Sequence, residues 1–415
     1  MSRIRPLLIL AAAVLATGVL SGIAGGLCTV LGRMVADATY GFSGGPLLTG
    51  VEHAPAWRRV VGPTLGCALA GAGWWWLRRR AVIPKLTEQI REGHPFEPGP
   101  MGIDALLQVL AVGCGASLGR EQAPRMMAAV LTQGCLRPGP FTPELRRILM
   151  ASATGAGLAA VYTVPVAGAL FTLGVLRSGR PVAVAVAVAT SVIATLTVWP
   201  LHHGAPTYPW PATQVTGTAY LFAVVAMPMA ALAGLGFNAL IAKARPRTPP
   251  ASRTLIPRIG FAGLVLGVGS IWMPDLPGNG KSIVLETLAG GDTLGLVAVA
   301  VVLKPLLTAL FLRAGAVGGL LTPALSTGVA LGACAALVIQ AWGGTASVPA
   351  LAVIAGAAMV AVTQNAPVFA AVFSVELTRP PLEVAAMLVV AALGAHRLGI
   401  TISGQRSQDP GTAPP

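Results

Sequence analysis

Long stretches of the chain carry no charge: Pro181–Pro200, Pro211–Ala242 and Ala314–Val375 contain no Asp, Glu, Lys or Arg. Each reaches or exceeds the roughly 20 apolar residues that a helix needs to cross a bilayer. Apolar and polar positions do not alternate as they would in barrel strands. The pattern therefore predicts membrane-spanning α-helices. Other apolar segments are shorter: Ala105–Leu118, Val166–Leu176 and Ala366–Leu377, each bounded by Gly, Pro or a charge. Segments too short to span, set among longer ones, point to broken helices around a central site. The predicted fold class is an all-α polytopic membrane protein with many tilted and broken helices.

The pattern also repeats. "ATGAGLAAVYTVPVAGALF" (Ala153–Phe171) matches "AGAAMVAVTQNAPVFAAVF" (Ala355–Phe373), with Pro165 on Pro367 and Phe171 on Phe373, an offset of 202 in a chain of 415 residues. An offset near half the length predicts a two-fold internal repeat, as in many transporters. We set the halves at about residues 6–200 and 211–400, within a single membrane domain spanning 1–400. Residues 401–415 read as a short polar tail without packed structure.

Composition narrows the function. The chain is 54% hydrophobic and 10% charged, against about 25% charged in soluble domains. That excludes a soluble enzyme, and no paired acids or Ser/His dyad among the helices suggests a membrane-embedded one. No Gly-rich loop with a following Lys is present to hold a nucleotide, which argues against an ATP-driven pump. The net charge of +14 does not imply nucleic acid, because no polar domain carries it. The basic residues sit in short loops: Arg3 and Arg5, Arg78–Arg80, and Lys243, Arg245, Arg247, Arg253 and Arg258. The positive-inside rule places these loops, and with them both termini, in the cytoplasm. The stretch Asp37–Ala56 has no Lys or Arg and is expected outside as a loop. The first apolar run, Leu7 to about Leu31, reads as an uncleaved first helix of a multi-pass cell-membrane protein. The five cysteines are scattered and read as small apolar residues in helices. No metal or cofactor is expected.

The candidate chemistry lies in "GCGASLGREQAP", Gly113–Pro124. Its glycines can turn tightly and expose backbone N–H groups, and Pro124 suits the first turn of a new helix. Glu121 then stands near a helix N-terminus, which carries partial positive charge and unpaired donors. A carboxylate held there competes with a free anion for the same donors and is released on protonation. The bland alternative is a capping Glu paired with Arg120 at the membrane surface. The second half offers "GAVGGLLTP", Gly315–Pro323, whose amides around Leu320 and Leu321 would attract a halide without holding it too tightly. Its alternative is a helix-packing motif through Gly315/Gly319 and Gly328/Gly332.

These stretches resemble the CLC family of chloride channels and chloride/proton antiporters. "GREQAP" (Gly119–Pro124) is similar to the family's GREGP motif with one residue inserted, and the family's gating glutamate falls on Glu121. "GGLLTP" (Gly318–Pro323) is similar to the GxFxP motif, whose chloride-binding amides fall on Leu320 and Leu321. "AVIP" (Ala81–Pro84) stands in the place of GSGIP, with Ala81 where the family has its serine. The resemblance runs from about Leu7 to Gly399 and implies a CLC-like inverted two-fold repeat. It implies an anion site of Ala81, Ile83, Gly119, Arg120, Glu121, Gly319, Leu320 and Leu321, and a homodimer with one pore per subunit. The family's internal proton-accepting glutamate would fall at Gly174 or Val175, and its inner-gate tyrosine has no counterpart in "HRLGITISGQRSQDP". The expected function is passive or gated transport of chloride or other small anions past a glutamate gate, with chloride as cargo. Chloride/proton antiport is the alternative. A non-transporting membrane scaffold is the second, and the intramembrane acid argues against it.

Overall fold

The computed structural model describes residues 4–136, 141–246 and 251–404. In chain order the helices are α1 (Ile4–Tyr40), α2 (Leu47–His53), α3 (Ala56–Arg78), α4 (Leu86–Glu92), α5 (Pro98–Gly113), α6 (Gln122–Leu136), α7 (Pro143–Tyr162), α8 (Pro165–Leu176) and α9 (Pro181–Thr197). There follow α10 (Trp199–His202), α11 (Gly217–Ala244), α12 (Leu255–Trp272), α13 (Lys281–Ala289), α14 (Leu294–Ala314), α15 (Leu321–Ala341), α16 (Val348–Gln364), α17 (Pro367–Thr378) and α18 (Leu382–Ser403). Among the described residues there are no strands, and six helices are long and apolar enough to cross a membrane: α1, α11, α12, α14, α15 and α18.

Three boundaries differ from the sequence reading. The first helix does not stop near Leu31: it runs on through Arg33 and Asp37 to Tyr40, because no strong breaker intervenes before Gly41 (φ 78°), whose N–H closes on Asp37 O at 2.7 Å. The segment expected as a loop over Asp37–Ala56 accordingly begins in helix and also contains α2. At the other end α18 continues to Ser403, into the expected tail; residues 405–415 lie outside the described residues.

The short helices match in pairs. α8 and α17 each have 12 residues and begin with a Pro. Left-handed residues precede them (Thr163, φ 57°; Asn365, φ 52°) and end them (Arg177, φ 50°; Arg379, φ 47°). The two helices meet, with Phe171 edge-on to Phe369 at 6.1 Å, and Glu376 of α17 caps α8 by accepting the Val166 and Ala167 N–H groups at 2.9 and 2.7 Å. Gly328 and Gly332 let α15 lie directly on α16, where a Cβ on Gly328 would come within 2.8 Å of the Met359 Cβ. Gly315 and Gly319 do not share that role; they lie in the loop before α15.

α3 separates two groups of polar contacts. At its start Arg59 donates to Glu52 O and Ser270 O, and Arg58 to Ala38 O and Thr39 O. At its end Arg79 and Arg253 both sit over the Trp75 ring, at 5.4 and 5.2 Å. With 23 residues rising about 1.5 Å each, the two ends are on the order of 30 Å apart. The Arg78–Arg80 and Arg253 groups thus gather at the end remote from Glu52. Arg3 and Arg247 lie outside the described residues.

Candidate functional site

Two loops meet between helix starts. After α5, Gly115 (φ 106°) turns the chain, with its N–H on Val112 O at 3.0 Å and the Ala116 N–H on Ala111 O at 2.9 Å. After α14, Gly315 (φ 102°) does the same with Leu312 O and Phe311 O. Side chains with a Cβ rarely adopt such φ values, which is why glycine stands at both turns. The loops then pair, Gly119 N–H to Gly319 O at 2.7 Å and Gly319 N–H to Gly119 O at 2.9 Å. Matching positions lie 200 residues apart.

Glu121 directly precedes α6, as the sequence predicts, but its carboxylate is held by the start of the other helix, α15. It is 2% exposed. Oε1 accepts the Leu321 N–H at 2.8 Å, and Oε2 accepts from Tyr162 Oη at 3.3 Å and Thr322 Oγ1 at 3.4 Å. The α15 N-terminus supplies partial positive charge and free donors, and Glu121 occupies it as an anion would. A Cβ on Gly119 or Gly319 would collide with this carboxylate, so the absence of a side chain there makes the room. Among the described residues Glu121 and Arg120 form no ion pair. Arg120 instead donates to Val161 O at 3.4 Å and lies over the Tyr162 ring at 5.0 Å. Surface pairing of the two does not describe this site.

A profile described as "Voltage gated chloride channel" matches residues 66–399. The chain belongs to the CLC family. Curated relatives include the "Voltage-gated ClC-type chloride channel ClcB" of Salmonella typhimurium, 26% identical over 80% of this chain and 82% of that protein. The protein of the same name from Escherichia coli O17:K52:H18 is 27% identical over 85% and 90%. Among solved structures, a slow cyanobacterial Cl-/H+ antiporter superposes with a TM-score of 0.78 at 20% identity, covering 96% of this chain and 95% of the other. A CLC-type fluoride/proton antiporter gives 0.72 at 17% identity, covering 95% of each. These likenesses show the CLC fold, and the curated relatives are channels, not enzymes.

Within this CLC chain the site residues of the two GREGP- and GxFxP-like stretches converge: Gly119, Arg120, Glu121, Gly319, Leu320 and Leu321. Ala81 and Ile83 make no hydrogen bond to these residues among the described residues; the Ala81 N–H closes on Leu77 O at 3.0 Å. Their tetrapeptide follows α3, Val82 is 87% exposed, and Ile83 packs against an apolar cluster that includes Leu86 and Ala105. Just before the tetrapeptide, Arg78 Nη2 donates to Gly315 O at 2.9 Å, in the loop that carries Gly319.

The structure adds residues that the sequence reading passed over. Tyr162 and Thr322 hold the Glu121 carboxylate. Asp104, on α5, is a second buried acid, 2% exposed, which accepts from Trp74 Nε1 and Gln108 Nε2, both at 2.8 Å. Lys304, on α14 and 200 residues further on, is fully buried and donates to Leu276 O at 2.9 Å and Gly278 O at 2.6 Å. A lone charge in an apolar run was the available signal for both, the same signal that marked Glu121.

Proposed function

We propose that this CLC protein conducts chloride and similar small anions passively across the cell membrane, and that Glu121 is its gate. The carrying observation is the Leu321 N–H on Glu121 Oε1 at 2.8 Å: the carboxylate occupies the donors that an anion at the head of α15 would need. Protonating Glu121 removes its negative charge and its claim on those donors, and a free anion can displace it. The backbone amides of Leu320 and Leu321, bordered by Gly119, Arg120 and Gly319, then bind the passing anion. Ala81 and Ile83 border the pathway further along.

Passive flow is favoured because α8 carries no acid; Gly174 faces open space and Val175 is buried. Exchange for protons is the second reading, and Asp104 is the observation that favours it, since a buried carboxyl on α5 is able to hold a proton. The test is chloride efflux from proteoliposomes. Glu121→Gln mimics the protonated gate and is expected to raise efflux at neutral pH; an unchanged rate removes Glu121 from the gate.

We further propose that the Arg78–Arg253 end and both termini face the cytoplasm, on the positive-inside argument. A cysteine placed at Glu52 is then labelled from outside intact cells, and labelling only from within reverses the orientation. The residues α8, α9, α17 and α18 leave exposed, among them Val166, Val188, Val368 and Leu393, form an apolar face suited to a second copy of the chain.

A further inference from the structure

A cavity of about 640 Å³ opens beside the Glu121 lock, with Gly119 and Arg120 in its wall. α1 contributes Arg33 and Asp37, the loop before α13 contributes Asn279, and the first residue of α13 is Lys281. We propose that this cavity is an antechamber that binds a small monovalent anion between Lys281, Arg33 and Arg120 before the anion displaces the Glu121 carboxylate. The proposal deepens the functional reading above and rests on Glu121 being the gate.

The charge balance carries the argument. Three cations face the cavity and Asp37 is the one carboxylate in its wall. Among the described residues Lys281, Arg33 and Arg120 make no ion pair. Lys281 opens α13, so the N-terminus of that helix adds partial positive charge at the same place. Neighbouring elements do not offset this: α15 and α16, which pack on α13, contain no Asp, Glu, Lys, Arg or His. Within α13, Glu286 faces Asp292 and Glu52, and Asp275 in the preceding loop faces Lys304. A walled cavity with an excess of one sign of charge concentrates counter-ions and raises their rate of entry. The ligand is small and monovalent because the place it moves to next holds one carboxylate.

Lys281 also makes the antechamber sensitive to pH. Burial, with Arg120 and Arg33 close by, pushes its ammonium down from the ordinary lysine range to about 7. α13 is not one of the six spans. Below that pH Lys281 is charged and attracts the anion; above it the charge and the attraction are lost. Glu121 also favours flow when protonated, so the two effects run in the same direction and must be separated.

Glu121→Gln separates them by removing the titrating gate. In that background, flux at subsaturating chloride is expected to keep falling as pH rises through about 7. Adding Lys281→Met is expected to abolish this step and to raise the half-saturating chloride roughly fivefold, the worth of one charge about 4 Å away across water. Adding Lys281→Arg, which stays charged, is expected to hold the low-pH affinity up to alkaline pH. Chloride binding by calorimetry on the purified variants gives a readout independent of transport. Unchanged half-saturation, binding and pH profile in Glu121→Gln/Lys281→Met overturn the antechamber. If Glu121→Gln passes no more chloride than the parent protein, while Lys281→Met still weakens binding, the gate reading falls and the antechamber stands.

Discussion

Tyr162 tests how tightly the gate is held. Its hydroxyl is one of three donors on the Glu121 carboxylate, at 3.3 Å. A hydrogen bond to a charged group contributes about 1.5–3 kcal/mol at good geometry, and this one is long. Tyr162→Phe is expected to raise chloride efflux at neutral pH a few-fold, less than Glu121→Gln does; efflux equal to the parent's would mean that the hydroxyl does not bear on the lock. Glu121 could be read from the chain because a lone acid between apolar runs has few uses in lipid, and because glycines lead up to it. Tyr162 could not. It is an aromatic residue in an apolar helix, and only the fold brings it across 41 positions to the carboxylate. Asp104 also has glycines before it, Gly99 and Gly102, but Glu97 stands close upstream and Asp104 lies within α5 rather than at a helix start, so it did not stand out as a lone acid at a helix N-terminus.

Between elements, Asp104 acts as a clasp joining α5 to α3 through Trp74, while Gln108, one turn along α5, braces the same carboxylate. Asp104→Ala leaves the Trp74 Nε1–H buried without an acceptor, at about 1–3 kcal/mol, and leaves Gln108 Nε2 with only the Met126 Sδ at 3.3 Å. The expected result is a marked drop in unfolding temperature in detergent. Asp104→Asn keeps one acceptor and is expected to fall between. Equal stability of Asp104→Ala and the parent protein would show the clasp to be dispensable. The repeat was legible at this scale where a Pro begins α8 and α17 and a Phe recurs midway along each. It was not legible in the loop pair Gly115/Gly315 and Gly119/Gly319, which lie 200 apart rather than 202, so one search offset misses the other. The end of α1 was misread because the last turns, from Leu31 on, are polar enough to resemble a loop. A polar face next to the Arg33–Asp37 cavity accounts for that composition.

For the whole molecule, the apolar face of α8, α9, α17 and α18 predicts a homodimer, and mass analysis in mild detergent that finds only monomer contradicts it. The two-fold division at about residues 6–200 and 211–400 stays a proposal of the same kind, resting on the matched helices and loops. Overall class and span pattern were open to sequence because lipid forces each backbone polar group into a helix. The crossing of the halves was not, since Gly119–Gly319 pairing and the seating of Glu121 on α15 depend on contacts about 200 positions apart. The central claim is passive anion conduction past Glu121. It is tested most directly by chloride efflux from proteoliposomes with internal pH followed at the same time, for the parent protein and Glu121→Gln. The account predicts faster efflux in Glu121→Gln and, in both proteins, no proton movement tied to chloride. Equal rates in the two proteins, or protons moving in fixed proportion to chloride in the parent, would contradict it.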